Sequence, residues 1–258
     1  MRKILNLLFI AAITCAVSAQ DAKPLRVLHF TGGCCHDYDK QKIILSEGIS
    51  ARANTIFDIV HEGGKSGDYK YPLLQAAGWG KNFDVVLYNI CFAHIKDDAY
   101  VEGITQVHRE GLPAVALHCT YHSHHWKTKT DEWEKFLGVT SPNHGRKHAI
   151  TMKNLAPKHP IMKNFPAEWT TPEGELYREN KTWDTATPLV LGTAGEEKHH
   201  CVWINQYGAA RVFGTTVGHH NSTMESKEYL DLVSAGLLWV AGKLGDDGNP
   251  VKGYGPKN

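Results

Sequence analysis

Residues 25–37, Leu25-Arg26-Val27-Leu28-His29-Phe30-Thr31-Gly32-Gly33-Cys34-Cys35-His36-Asp37, decide how this chain is to be read. The mostly apolar run from Leu25 to Phe30 predicts a strand. Gly32 and Gly33 allow a tight turn after it. Residues 39–52 then predict a helix, with Ile43, Ile44 and Ile49 on one face and Asp39 capping its first amides. A strand, a glycine loop carrying His36-Asp37 and a helix make the first half of a βαβ unit.

The same order of elements recurs downstream. Residues 57–60 predict a second strand. Residues 63–80, broken by Gly63, Gly64, Gly67, Gly78 and Gly80, predict a surface excursion with at most one short helix. Residues 83–90 (FDVVLYNI) are nearly continuous in apolar side chains, as doubly covered parallel strands are. A helix over 97–109, a strand over 114–117 and a helix over 130–137 follow. This alternation predicts an α/β fold with a doubly wound, mostly parallel sheet. Beyond Gly138 the pattern loosens: strands over 148–153 and 175–178 sit in a less regular insertion. Three more strands, over 188–193, 201–206 and 211–217, are expected, the last two joined as a hairpin through Tyr207-Gly208-Ala209-Ala210. A helix over 225–243 closes the fold, and residues 245–258 are expected to be a flexible tail.

Residues 1–19 have the form of a secretory signal: Arg2 and Lys3, an apolar stretch too short to span a bilayer comfortably, then Val17-Ser18-Ala19. A single domain over 20–244, secreted across the inner membrane to the periplasm with no stable membrane insertion, is the expectation. The 28 basic and 27 acidic residues nearly cancel, and no basic patch marks a nucleic-acid partner. Five cysteines follow the leader, Cys34, Cys35, Cys91, Cys119 and Cys201, with no CxxC spacing. Most are expected as buried thiols, with a vicinal disulfide between Cys34 and Cys35 as the alternative.

Sixteen histidines must be sorted by position. His36, His118 and His219 each follow an apolar run, so parallel strands would deliver all three to the carboxyl edge of one sheet, where ligands bind in open α/β folds. His36-Asp37 would serve equally as a turn and cap. His118 sits where a strand-to-helix elbow pushes a side chain into the cleft. Glu175, at the start of a predicted strand, supplies a carboxylate of defined direction. His36, Asp37, His118, Glu175 and His219 are therefore the expected catalytic set. His118, Glu175 and His219, with His144 or His148, would suit zinc or a similar divalent metal, or a metal-free acid/base pair. His124, His125, His199 and His200 are expected on the solvated surface. The alternatives are a ligand-binding protein without chemistry, with Trp126 and other tryptophans as stacking faces, and a hydrolase using Cys119 or Cys91.

The chain resembles the trehalose-utilisation (ThuA-like) family from about residue 25 to 244. The resemblance is carried by residues 27–37, residues 114–118, His159-Pro160-Ile161-Met162, residues 173–177, residues 202–213 with Tyr207-Gly208, and Val217-Gly218-His219. It implies a three-layer sandwich, flavodoxin-like in layout and related to class I glutamine amidotransferases. Those enzymes place a nucleophilic cysteine between glycines at the elbow. Here Ala116-Leu117-His118-Cys119-Thr120 puts His118 in that place, as the ThuA-like family does, and neither glycine is present. The family resemblance implies a role in sugar metabolism beside sugar oxidoreductases, with a divalent metal suggested for some members. Hydrolysis, elimination or isomerisation of a glycoside or keto-sugar is the chemistry it points to, with a small-molecule carbohydrate as the implied ligand and a non-catalytic sugar-binding protein as the alternative.

Overall fold

A computed structural model describes residues 22–256 of the chain. The expected signal segment lies outside the described residues. Thirteen strands and five α-helices follow in order among them. The parallel half comprises β1 (Leu25–Gly33), β2 (Thr55–His61), β3 (Val85–Cys91) and β4 (Ala114–Leu117). Its helices are α1 (Tyr38–Ser50), α2 (Asp98–Arg109) and α3 (Glu132–Leu137). Then come β5 (Val139–Thr140), β6 (Asn143–Lys147), β7 (Thr151–Asn154), β8 (Glu168–Thr170), β9 (Glu175–Arg178) and β10 (Lys181–Thr182). The long strands β11 (Ala186–Ala194), β12 (Glu197–Tyr207) and β13 (Ala210–Thr215) precede α4 (Asn221–Met224) and α5 (Lys227–Val240).

The main sheet runs β2-β1-β3-β4-β13-β12-β11-β7-β8. Pairing is parallel from β2 to β13 and antiparallel from β13 outward to β8. The expected α/β architecture is present, with an antiparallel extension built from hairpins. The expected hairpin falls at the β12–β13 turn, where Tyr207 pairs with Ala210. Strand alternation sends side chains to two cores. Val27, Val85, Leu87, Val115 and Leu117 pack with Leu45, Ile49, Leu232 and Leu237 of α1 and α5. Leu28, Phe30, Val86, Tyr88 and Ala116 pack on the other face with Val101, Ile104, Trp133 and Phe136 of α2 and α3. Helices on both faces of one sheet make the three layers.

Several boundaries differ for physical reasons. The cap of α1 is Asp37, whose carboxylate accepts from the Lys40 amide, so Asp39 falls inside the first turn. Residues 63–80 hold one short 3₁₀ turn, Leu73–Gln75, as expected, yet Tyr71, Leu74 and Trp79 are buried, so this excursion also covers the core. The strand expected at 148–153 is β7, starting at Thr151. Beyond Leu244 the chain lies against the body, where the Asn54 amide N–H donates to the Tyr254 carbonyl. No helix among the described residues is long and apolar enough to cross a membrane.

Candidate active site

The carboxyl ends of β1 and β3 flank the point where strand order reverses, and ligands bind at such switch points. The chain leaves β1 through Gly33, at φ +106°, where a Cβ would stand 2.3 Å from the Cys91 carbonyl oxygen. No side chain fits there, and the close approach aims Cys34, Cys35 and His36 over the end of β3. β4 ends at Leu117, and His118 takes φ +46°, a left-handed conformation that is uncommon outside glycine. That elbow turns the His118 ring up into the cleft. His219 follows Gly218, at φ +125°. Its carbonyl accepts from Gln41 Nε2 at 3.2 Å, and Gln41 Oε1 in turn accepts from Asn89 Nδ2 at 3.1 Å. Glu175 begins β9, which pairs with β6 as a separate two-stranded ribbon.

Four of the five expected catalytic residues meet. Ligand-type atoms of His36, His118, Glu175 and His219 all lie within 4.8 Å of one another. His219 Nδ1 is the hub: it stands 3.0 Å from His36 Nε2, 3.3 Å from His118 Nε2 and 3.1 Å from Glu175 Oε2. Glu175 Oε2 is also 3.6 Å from His118 Nε2 and 3.6 Å from His144 Nε2, and Oε1 is 3.8 Å from Lys147 Nζ. His118 Nδ1 is 2.6 Å from the Thr216 carbonyl oxygen. A carbonyl only accepts, so Nδ1 carries the proton and the Nε2 lone pair faces the cluster. The Tyr177 hydroxyl is 3.3 Å from that Nε2, and the Tyr38 hydroxyl is 3.1 Å from His36 Nδ1.

Burial holds the His36 and His118 imidazoles neutral. His36 is lowered to about 4, first by desolvation and then by His219, with Glu175 opposing. His118 is pushed well below the ordinary histidine range by burial and His36. Burial alone would raise Glu175, but the hydrogen bond with His219 and the charges of His219, His144 and Lys147 hold its carboxyl below its ordinary value. Imidazole nitrogens beside a carboxylate are a donor set suited to zinc or a similar divalent cation. Ligand atoms about 2.0–2.1 Å from a tetrahedral zinc stand about 3.3 Å apart. The separations of 3.0, 3.1, 3.3 and 3.6 Å bracket that edge length.

The remaining expectations divide. Asp37 is brought to the rim and turned away: its carboxylate caps α1 and accepts from Asn221 Nδ2 at 2.9 Å. His144 reaches Glu175 from β6, outside the four-residue cluster. His148 is exposed just beyond β6, its amide N–H donating to the Gly174 carbonyl, and it lies outside the four-residue cluster. His124, expected in solvent, is buried and packs on Trp133, and His125, also expected there, is partly buried with Nδ1 3.6 Å from Glu134 Oε1. Polar neighbours suggest exposure there, but the His124 amide N–H donates to the Phe92 carbonyl and holds this stretch against the core.

Sequence reasoning missed Tyr38, Gln41, Asn89 and Tyr177, which with His122 wall or brace the site. His122 stacks on Tyr177 at 4.0 Å with 7° between planes, and burial first, then His125 and His144, lower it to about 3. Only Gln41, buried on an otherwise polar helix start, leaves a faint signal. Cys91 and Cys119 form one disulfide and Cys34 and Cys35 another. Cys201 is the free cysteine among the described residues and is buried in β12. Cys91 and Cys119 therefore offer no thiol nucleophile in this state. A cavity of about 440 Å³ opens above the cluster, walled by the cysteines, His122, Trp126, His144 and Lys147.

The sequence matches the ThuA family, described as trehalose utilisation, over residues 26–240. A ThuA-like protein from Parabacteroides merdae has a similar structure, with a TM-score of 0.71 at 18% identity, over 92% of this chain and 98% of that one. A ThuA-like protein from Bacteroides uniformis gives 0.68 at 15% identity, over 91% and 98%. A GMP synthase protein from Thermoplasma acidophilum gives 0.53 at 10% identity, over 86% and 96%, which shows a shared glutamine amidotransferase-like fold. No curated protein matches the chain. The family match spans most of the sequence and every segment of the site, so this chain belongs to the ThuA, or trehalose-utilisation, family.

Proposed function

We propose that this protein is an extracytoplasmic carbohydrate-active enzyme that acts on a glycoside or keto-sugar, by hydrolysis, elimination or isomerisation, at the His36/His118/Glu175/His219 cluster. One observation carries the reading. His219 Nδ1 has three polar neighbours within 3.3 Å, and a ring nitrogen offers one proton or one lone pair. It cannot satisfy three partners, whereas a shared cation in the middle would. His36, His118, Glu175 and His219 are the residues that would hold a divalent cation. Such an ion, when bound, supplies Lewis-acid polarisation of a carbonyl or hydroxyl pair.

The chain's own groups supply the rest. Thr216 fixes the His118 ring as a lone-pair donor at Nε2. Glu175, ionised at neutral pH, is placed to take a proton at its oxygens from carbon or water in the cavity. Lys147 and His144 stand beside it and stabilise the negative charge. The Tyr177–His122 stack seals one wall against water. The family's link to carbohydrate supports the substrate class, and the leader-like N-terminus supports the location.

The test is metal analysis of untagged protein beside turnover of oxidised and unoxidised glycosides. Bound divalent metal lost in His118→Ala and His219→Ala, together with lost turnover, is the expected result. Metal-free protein whose variants keep full turnover would sink the reading. A binding-only role has one observation in its favour, the Trp126 face left 45% exposed at the cavity mouth. Calorimetric binding of a sugar recovered unchanged would select it.

A further inference from the structure

The cysteines form a second cluster that the proposed chemistry does not use. Three separate segments bring them together: the loop after β1 (Cys34, Cys35), the end of β3 (Cys91) and the 3₁₀ segment after β4 (Cys119). Cys91 is the shared member of two donor groups. Sulfurs of Cys34, Cys35 and Cys91 lie within 4.8 Å of one another, and so do the donor atoms of His36, Cys91 and Cys119. Across the two disulfides, Cys34 Sγ and Cys91 Sγ stand 3.6 Å apart. Two thiolates 2.3 Å from one tetrahedral metal are about 3.8 Å apart. The unbonded sulfurs are thus already at the spacing of a thiolate metal site. Cys91 and Cys119 are buried, while Cys35 is exposed at the cavity rim, where a reductant can reach it. A bridge between adjacent residues closes no loop of chain, so the Cys34–Cys35 pair contributes little to stability by constraining the unfolded state.

We propose that Cys34, Cys35, Cys91 and Cys119 form a redox-convertible sulfur site that, once reduced, binds one thiolate-preferring d¹⁰ cation such as zinc or cadmium. In the oxidised state the sulfurs are held as two disulfides and offer no thiolate. A dithiol or phosphine reductant opens them. With a phosphine, each disulfide takes up two electrons and two protons to give two thiols, and the phosphine leaves as its oxide, with the oxygen and protons drawn from water. Cation binding then releases one proton for each thiol that becomes a thiolate ligand. His36 belongs to both the imidazole–carboxylate cluster and a cysteine group, so the sulfur site borders the first cluster and shares a member with it. The inference does not rest on the proposed enzymatic reading.

The experiment uses the full purified protein carrying Cys15→Ala and Cys201→Ala, so that every counted thiol belongs to the cluster. Thiols are counted before and after reduction by tris(2-carboxyethyl)phosphine. After anaerobic removal of the reductant, cadmium chloride is titrated and thiolate-to-cadmium charge-transfer absorption is read in the ultraviolet. That band reports sulfur ligation alone, so cadmium at the histidines is silent in it. Expected are no thiols and no band before reduction, four thiols after it, and a band saturating at one cadmium per chain. The band should be lost in Cys91→Ser/Cys119→Ser. The exposed-loop variant Cys34→Ser/Cys35→Ser gives the same reading should the buried pair fail to fold. Four free thiols in the protein as purified, no band in the reduced protein, or a band of equal strength in the variants would overturn the proposal.

Discussion

His118 and His108 are both fully buried, and each has one ring nitrogen tied 2.6 Å from a main-chain carbonyl, Thr216 for the first and Leu112 for the second. Burial lowers both below the ordinary histidine range. The second nitrogen separates them. His108 Nε2 meets one phenol, Tyr88 at 2.9 Å, and its ring lies on Phe136 at 4.4 Å. His118 Nε2 faces Tyr177, His219 and Glu175 beneath an open cavity. Burial and suppressed basicity are thus shared by a core histidine and a site histidine. What distinguishes the site is a surplus of donors and acceptors around one point.

The sharpest way to break that distinction is to remove charge from one side only. Glu175→Gln keeps the shape of the side chain and removes the carboxylate that the cluster shares. Turnover in the proposed reaction is expected to fall about 10²–10⁴-fold, the range for losing a positioned acid or base. Bound metal is expected to fall with it. His108→Ala should do the reverse. It leaves the Tyr88 hydroxyl without a partner and opens a void beside Phe136, so stability in urea is expected to drop by about 2–4 kcal/mol. Metal content per folded chain should stay unchanged. Loss of metal in His108→Ala, measured on protein shown to be folded, would mean that the two histidine classes are coupled.

The parallel half of the sheet is legible because doubly covered strands leave a continuous apolar signal: residues 114–117 match β4 to the residue, and 83–90 match β3 within two. The site's backbone positions are legible for the same reason, since loops after parallel strands must meet at one edge. What the chain order hides is direction. Asp37 and His36 are neighbours, yet one side chain caps α1 and the other enters the cluster. Polar spacing makes His124 and His125 look solvated, although the fold buries His124, whose amide N–H donates to the Phe92 carbonyl, and half-buries His125. The sulfur cluster is hidden because sequence spacing carries no trace of a meeting between three strand ends.

Acid should expose the core histidines as a class. His29, His108 and His124, all buried, are lowered by desolvation to about 3, about 4 and about 3 from 6.5. Between those values and 6.5 the unfolded chain binds protons that the folded chain refuses, so stability is full above about 6.5 and falls as pH drops. Each group contributes about 1.4 kcal/mol per pH unit in that window. Urea midpoints measured from about pH 7 to about pH 5 should decline, and His124→Phe should flatten the slope by one such share. A slope unchanged in that variant would show that His124 already charges in the folded protein.

The smallest expected effect belongs to Tyr177→Phe, and it tests where the site ends. The ring would keep its stack on His122, so the wall of the cavity remains. Only the hydroxyl is lost, 3.3 Å from His118 Nε2. Because Thr216 already holds the His118 proton at Nδ1, that hydroxyl donates to the same lone pair that the cluster needs. Its removal frees the lone pair instead of disabling it. Metal affinity should hold or rise, and turnover should change by no more than about tenfold, the equivalent of one neutral hydrogen bond. A loss as deep as that of Glu175→Gln would put the phenol among the groups that touch the reacting atoms, and the boundary between the cluster and its wall would have to be redrawn.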